Sequence, residues 1–66
     1  MRRGICKLSI IPMRKEMSHE SELVSVLLYN DIYEILEDNN EWLRIRCEYD
    51  SYEGWIRKLQ HYELSE

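Results

Sequence analysis

The 66-residue chain predicts an all-β fold, a small barrel of five antiparallel strands. Three observations carry that expectation. Apolar residues recur with a period of two rather than 3.6, as on strands with one buried face. Short apolar runs are separated by Asn, Asp, Gly and Ser clusters at the roughly 8–12-residue spacing of small barrels and sandwiches. A chain this short has room for one core, and closing the sheet removes the edges that five open strands would leave. Residues 1–66 are therefore expected to form one domain, with its core between about positions 5 and 59.

From Gly4 to Ile10, Cys6, Leu8 and Ile10 alternate with Lys7 and Ser9, predicting a first strand with those three inward. Pro12 lacks a ladder N–H and biases Ile11 towards extended geometry, so the strand is expected to end there. Met13 to Glu22 is rich in charge and serine and reads as a long exposed loop. Glu22 to Tyr29 is ambiguous. Ser18 could cap a helix, but Ser21 stands where a capping box requires Glu or Gln. Val24, Val26 and Leu28 favour a strand, closed by an Asn30-Asp31 turn. Ile32 to Glu37 follows as a strand, then the Asp38-Asn39-Asn40 turn. Trp42 to Glu48 alternates most clearly, with Leu43, Ile45 and Cys47 on one face and Trp42, Arg44 and Arg46 on the other. Asp50-Ser51 turns the chain into a last full strand, Tyr52 to Arg57. In the polar tail from Lys58 to Glu66, Leu59, Tyr62 and Leu64 are placed to close one end of the core. The expected core includes Leu8, Val26 or Leu28, Ile35, Ile45 and Ile56.

Composition narrows the function classes. Apolar residues make up 44% and charged residues 33%, which is globular. Nine basic against thirteen acidic residues give a net charge of −4, which disfavours nucleic acid and anionic membrane surfaces as partners. No apolar window reaches the ~18 residues of a membrane span. Met1-Arg2-Arg3 begins like a signal peptide, but Lys7 and Ser9 interrupt any apolar region, so no export signal is expected. Cys6 and Cys47 sit in phase with core positions and read as inward free thiols. His19 and His61 have no partner at a recognisable spacing, and no Cys or His pair has the close spacing of a metal knuckle. No catalytic residue, metal or cofactor is expected. Glu16, Glu20 and Glu22 read as a solvated cluster, or else as a site for an amine. Trp42 and Trp55 are one residue out of phase with the core and share a face with Arg44 and Arg46. Two readings stand for that face: a self-shielding aromatic pair with cation–π support, or a docking surface.

The run Leu28-Tyr29-Asn30-Asp31-Ile32-Tyr33-Glu34-Ile35-Leu36-Glu37, then Trp42-Leu43-Arg44-Ile45, then Tyr52-Glu53-Gly54-Trp55-Ile56, resembles bacterial SH3-like (SH3b) domains. Pro12-Met13-Arg14 and Ser21-Glu22 are similar to the first SH3b domain of NlpC/p60 cysteine peptidases, which cut γ-D-glutamyl-diamino-acid bonds in peptidoglycan peptides. Asn30 stands where those domains carry a turn glycine. The resemblance implies a five-stranded SH3-like barrel and a non-catalytic module without the Asp-Cys-x-Gly catalytic domain. Its expected partners are an NlpC/p60-type catalytic domain or a cell-wall peptide, with the bacterial envelope as one setting. It further implies peptide-amine recognition by Glu16 with Tyr52, or with Tyr49 as a second candidate. A free-standing peptide- or protein-binding module is the other reading.

Overall fold

The computed structural model describes residues 1–65. Seven strands form one antiparallel sheet: β1 (Arg3–Ile5), β2 (Ile10–Arg14), β3 (Leu23–Leu28), β4 (Ile32–Asn39), β5 (Trp42–Cys47), β6 (Glu53–Arg57) and β7 (Glu63–Leu64). A 3-10 turn spans Lys58–Gln60. The lateral order is β3-β2-β6-β5-β4-β1-β7, and the sheet curls around one core in an SH3-like all-β fold. β5 carries the middle of it, with Leu43, Ile45 and Cys47 buried and the residues between them half-exposed. Ile11 and Met13 of β2, Leu27 of β3 and Ile56 of β6 meet them from the other side. Ile35 packs against this cluster from its rim.

The expected first strand is two strands. Residues 6–9 leave the sheet, so β1 pairs with β4 and β7 whereas β2 pairs with β3 and β6. Cys6 is fixed at the corner: its N–H donates to the Asp31 carbonyl at 2.9 Å and its carbonyl accepts from Asn30 at 2.8 Å. The corner resets which side faces inward. Cys6 is buried, Leu8 and Ile10 are exposed, and Ile11 takes the core position instead. The expectation that Leu8 is core is therefore wrong, and the described residues form seven strands rather than five.

Pro12 lies inside β2 and does not end it. The reason is local. Leu28 donates its N–H to Asp31 Oδ2 at 2.8 Å and accepts from the Asp31 N–H at 2.9 Å, so its main-chain groups turn away from its partner Ile10. Antiparallel alternation then makes Pro12↔Val26, two residues on, another pair without mutual hydrogen bonds. The missing N–H of Pro12 faces the side of β2 where β6 is registered at Arg14 alone.

In β3 the core residue is Leu27; Leu28 is exposed and Val26 half-exposed. Apolar residues occupy both parities of Leu23–Leu28, and a bulge at Met13/Arg14 shifts the register, so alternation alone cannot choose the inner face. The tail also closes differently from expectation. Leu59 and Tyr62 are exposed, and the His61 side chain, 7% exposed, fills the end of the barrel. Asn30, Asn40 and Ser51 hold left-handed φ values of 73°, 65° and 64° in the three tight turns. Asn tolerates this conformation better than most residues, which is how Asn30 serves without a glycine.

Candidate functional site

The outer face of β4, β5 and β6 is a grid of cross-strand neighbours. Asn39, Trp42 and Arg57 form one row; Glu37, Arg44 and Trp55 form the next, extended by Arg14 of β2. Glu34, Arg46 and Glu53 form the third. The phase of β5 and β6 puts these side chains outside, since Leu43, Ile45 and Ile56 claim the inside. Both indoles are half-buried.

Each guanidinium expected in a basic patch is matched by carboxylates. Arg44 Nε donates to Glu37 Oε1 at 3.0 Å and its Nη1 to Glu53 Oε1 at 3.0 Å. Arg46 Nη2 donates to Glu34 Oε1 at 2.7 Å, with Nη1 3.8 Å from Glu53 Oε2. These pairs are solvent-facing, so each contributes little stability, on the order of 0–1 kcal/mol. Their effect is to hold the guanidinium planes in place beside Trp55 and to remove the net positive charge. The face is an ion-paired aromatic surface.

Trp42 is covered by its own chain. The Arg57 guanidinium lies 5.3 Å from the indole centroid, and the His19 ring lies 5.2 Å away at 55°. Arg57 Nη1 is 3.2 Å from His19 Nε2, a hydrogen bond that His19 can accept only as the neutral Nδ1–H tautomer. The β2–β3 loop that brings His19 here is fastened internally. Lys15 N–H donates to the Glu22 carbonyl at 2.9 Å, and Glu16 N–H to Ser21 Oγ at 3.1 Å. Met17 Sδ meets Asn39 Nδ2 at 2.8 Å. Beside Trp42, an open depression of about 320 Å³ is lined by Asn40, Glu41, Arg57, Lys58 and Leu59.

Glu16, Tyr49 and Tyr52 are all exposed, Tyr49 at 91%. The loop holding Glu16 makes its contacts with Asn39, Trp42 and Arg57, whereas Tyr49 and Tyr52 stand on the β5–β6 turn, beyond the Cys47 end of β5. Among the described residues no hydrogen bond joins Glu16 to either tyrosine, and its carboxylate takes no hydrogen bond at all.

A second cluster joins the chain ends. Tyr33 Oη and His61 Nδ1 are 2.8 Å apart, and His61 Nε2 is 2.8 Å from Glu63 Oε1. Burial pushes the Tyr33 phenol up to about 12. The two ring nitrogens of His61 are thus bracketed by the Tyr33 phenol and the Glu63 carboxylate. Arg2 binds Glu63 at 2.8 Å and Asp38 at 2.9 Å, and Lys58 also binds Asp38 at 2.9 Å. The Arg2 and His61 hydrogen bonds hold Glu63 at about 2; the Lys58 and Arg2 hydrogen bonds hold Asp38 at about 2. The Tyr-His-Glu order imitates a nucleophile–base–acid relay, but Tyr33 is fully enclosed and no substrate atom can reach its oxygen. The cluster is a clasp. Gly4 makes space for it: a Cβ there would lie 2.5 Å from both His61 Cε1 and Tyr33 Cε2. Sequence reading missed the partners of both histidines because they lie far off in the chain and leave no local spacing.

Cys6 and Cys47 are buried free thiols, each pushed up by desolvation; Cys6 Sγ also donates to the Leu8 carbonyl at 3.1 Å. Neither is set up as a thiolate nucleophile. Among the described residues no group of three or more His, Cys, Asp or Glu side chains is placed to hold a metal ion.

Comparison with known proteins gives one family. Residues 13–60 match the family model of the bacterial dipeptidyl-peptidase SH3 domain, a stretch that runs from the end of β2 through the 3-10 turn. No curated protein and no solved structure matches the chain. The matched residues hold the whole ion-paired aromatic face and the loop that straps it, while β1, β7 and most of the clasp lie outside them. SH3 domains of this peptidase-associated kind are non-catalytic accessory binding modules. The chain belongs to the bacterial dipeptidyl-peptidase SH3 domain family.

Proposed function

We propose that this domain is the substrate-recognition or targeting module of an NlpC/p60-type cell-wall peptidase, a γ-D-glutamyl-diamino-acid endopeptidase whose catalytic domain it docks. One observation carries the reading. Trp42 and Trp55 keep part of their indoles in water on a face that the core does not need, flanked by immobilised arginines. Trp and Arg are the usual anchors of protein interfaces, and pre-formed ion pairs lower the ordering cost of docking. The unengaged Glu16 carboxylate supports a role for the strap loop in receiving a peptide amine, with Tyr52 or Tyr49 of the β5–β6 turn as the aromatic contributor.

Titrating a separately expressed NlpC/p60-type catalytic domain into this protein by calorimetry tests the docking. Saturable binding is expected, weakened at least about tenfold in a Trp42→Ala/Trp55→Ala variant whose circular dichroism is unchanged. Binding indifferent to both substitutions, or no binding, sinks it. The exposed Glu16, Tyr49 and Tyr52 favour a second reading, a free-standing module for cell-wall peptide. It predicts binding of a γ-D-glutamyl-diamino-acid peptide with no catalytic domain present, lost in Glu16→Gln.

A further inference from the structure

The depression beside Trp42 lies between two turns that the fold ties together. Lys58 N–H, at the head of the 3-10 turn, donates to the Glu41 carbonyl of the β4–β5 turn at 2.9 Å. Lys58 Nζ is held by both Asp38 oxygens, at 2.9 and 3.1 Å, and the Asn40 N–H donates to Asp38 Oδ1 at 3.1 Å. The walls are thus fixed by bonds among themselves. The space they leave, about 320 Å³, is at the low end of small-ligand sites.

Two charged groups of this lining lack the partners that such groups have elsewhere in the molecule. Arg2, Arg3, Arg44 and Arg46 each meet a carboxylate within 3.2 Å. Arg57 meets none among the described residues, although acidic residues outnumber basic ones thirteen to nine. Its Nη1 bonds the His19 ring, its guanidinium lies against Trp42, and its Nε is buried with no hydrogen-bond partner. A guanidinium oriented and partly desolvated in this way gains more from a carboxylate than a freely hydrated one does. The Glu41 carboxylate lines the same depression, and among the described residues no hydrogen bond or ion pair engages it. Leu59, 87% exposed, adds an apolar wall.

A cation and an anion that share one hollow without closing on each other suit a ligand carrying both charges. We propose that this depression binds a small zwitterion, a free amino acid or dipeptide. Its α-carboxylate meets Arg57, its ammonium meets Glu41, and an apolar side chain rests on Leu59. The planar fork of Arg57 matches the two carboxylate oxygens, and Trp42 and His19 already hold its plane. A simple anion would be repelled by Glu41 and a simple cation by Arg57, so the pair selects for both charges together. Binding here needs no catalytic domain, and it uses neither Glu16 nor the tyrosines of the β5–β6 turn.

Titrating alanyl-leucine into nitrogen-labelled protein, with the backbone amides followed by NMR, tests the site. Saturable shifts centred on Asn40, Glu41, Lys58 and Leu59 are expected. N-acetyl-alanyl-leucine, which lacks the ammonium, and alanyl-leucinamide, which lacks the carboxylate, should each bind about tenfold more weakly. Glu41→Gln should erase the penalty of acetylation and keep that of amidation; Arg57→Gln should do the reverse. Glu41 is on an exposed turn, so its variant decides the matter even where Arg57→Gln disturbs the packing over Trp42. Absence of saturable shifts at these amides at tens of millimolar dipeptide overturns the proposal. So do shifts centred on the loop around Glu16 or on Tyr52, which would favour the peptide-amine reading instead. Blocked dipeptides that bind as well as the free one, or a Glu41→Gln variant that still prefers the free amine, overturn it too.

Discussion

β5 and β2 both send alternate side chains into the same core, yet their outer faces have opposite characters. β5 is bonded along its length to β4 and β6, and its outward residues are locked by Glu34, Glu37 and Glu53 or covered by Arg57 and the strap loop. β2 is bonded along its length to β3 but to β6 at a single pair, and its outward Ile10 and Pro12 have no such cover. A strand with two full neighbours has cross-strand partners for every outward charge, so its exterior can become an ordered polar lattice. A strand at a seam lacks most of those partners, and apart from Arg14 at the one registered pair its exterior remains apolar. Inner packing makes the two strands equal; the outer chemistry makes one a finished surface and the other an available one.

The largest expected effect tests the equality inside. Ile45→Ala in β5 and Ile11→Ala in β2 should each cost about 2–5 kcal/mol in urea unfolding, against roughly 0.5 kcal/mol for Ile10→Ala, one residue away. A costly Ile10→Ala would break the distinction between the faces of β2. Next come the glycines, which sharpen it at the seam and the clasp. At Gly54, where β2 crosses β6, a Cβ would lie 3.0 Å from Val24 Cγ2 and 3.1 Å from the Arg14 carbonyl. Gly4→Ala and Gly54→Ala should each destabilise by about 1–3 kcal/mol, Gly4→Ala more, because its clash is with two rings. Trp42→Ala should cost about 1–2 kcal/mol, combining half an indole's burial with the Arg57 contact. A neutral Trp42→Ala would mean that the strap contributes nothing to the monomer.

The smallest effects are those of pH. Tyr33 is raised in the fold to about 12, so its contribution is full below pH 10 and is lost as pH rises from there through 12. Asp38 and Glu63 are lowered to about 2, so theirs is present above roughly pH 4 and is lost as pH falls through 2. Both carboxylates are solvent-exposed, so the acid-side loss should be slight and shrink further in high salt. Unfolding midpoints from pH 2 to pH 12 are expected to fall at both ends, with Tyr33→Phe flattening the alkaline limb and Asp38→Asn the acid one.

What the sequence made legible follows the same division. Leu43, Ile45 and Cys47 were readable because a doubly paired strand cannot change phase without breaking two ladders, and Ile56 follows from its place opposite Leu43. The outward direction of Trp42, Trp55, Arg44 and Arg46 came with them. The inward side of β3 was not readable, since Ser25, its one polar residue, shares the parity of the buried Leu27 and so marks the wrong face as outside. Leu8 misled because alternation carried on through a corner at which the chain changes partners. The clasp of Tyr33, His61 and Glu63 and the His19 cover on Trp42 are meetings of distant segments, which no local pattern records. The Glu34, Glu37 and Glu53 pairs were recoverable in principle from hairpin register, but only after the bulge between Ile35 and Glu37 had been placed.

The single registered pair between β2 and β6, Arg14↔Trp55, also bears on how the domain breathes. With so few ladder bonds there, the β2–β3 hairpin is expected to open at that seam before the β4–β5–β6 meander loses its ladders. Amide hydrogens of Leu27 and Met13 then exchange through a partial opening whose free energy lies below that of global unfolding, whereas those of Leu43 and Ile45 wait for the whole fold to come apart. A ligand that settles against the hairpin should then slow the exchange of the Leu27 and Met13 amides and leave that of Leu43 and Ile45 unchanged.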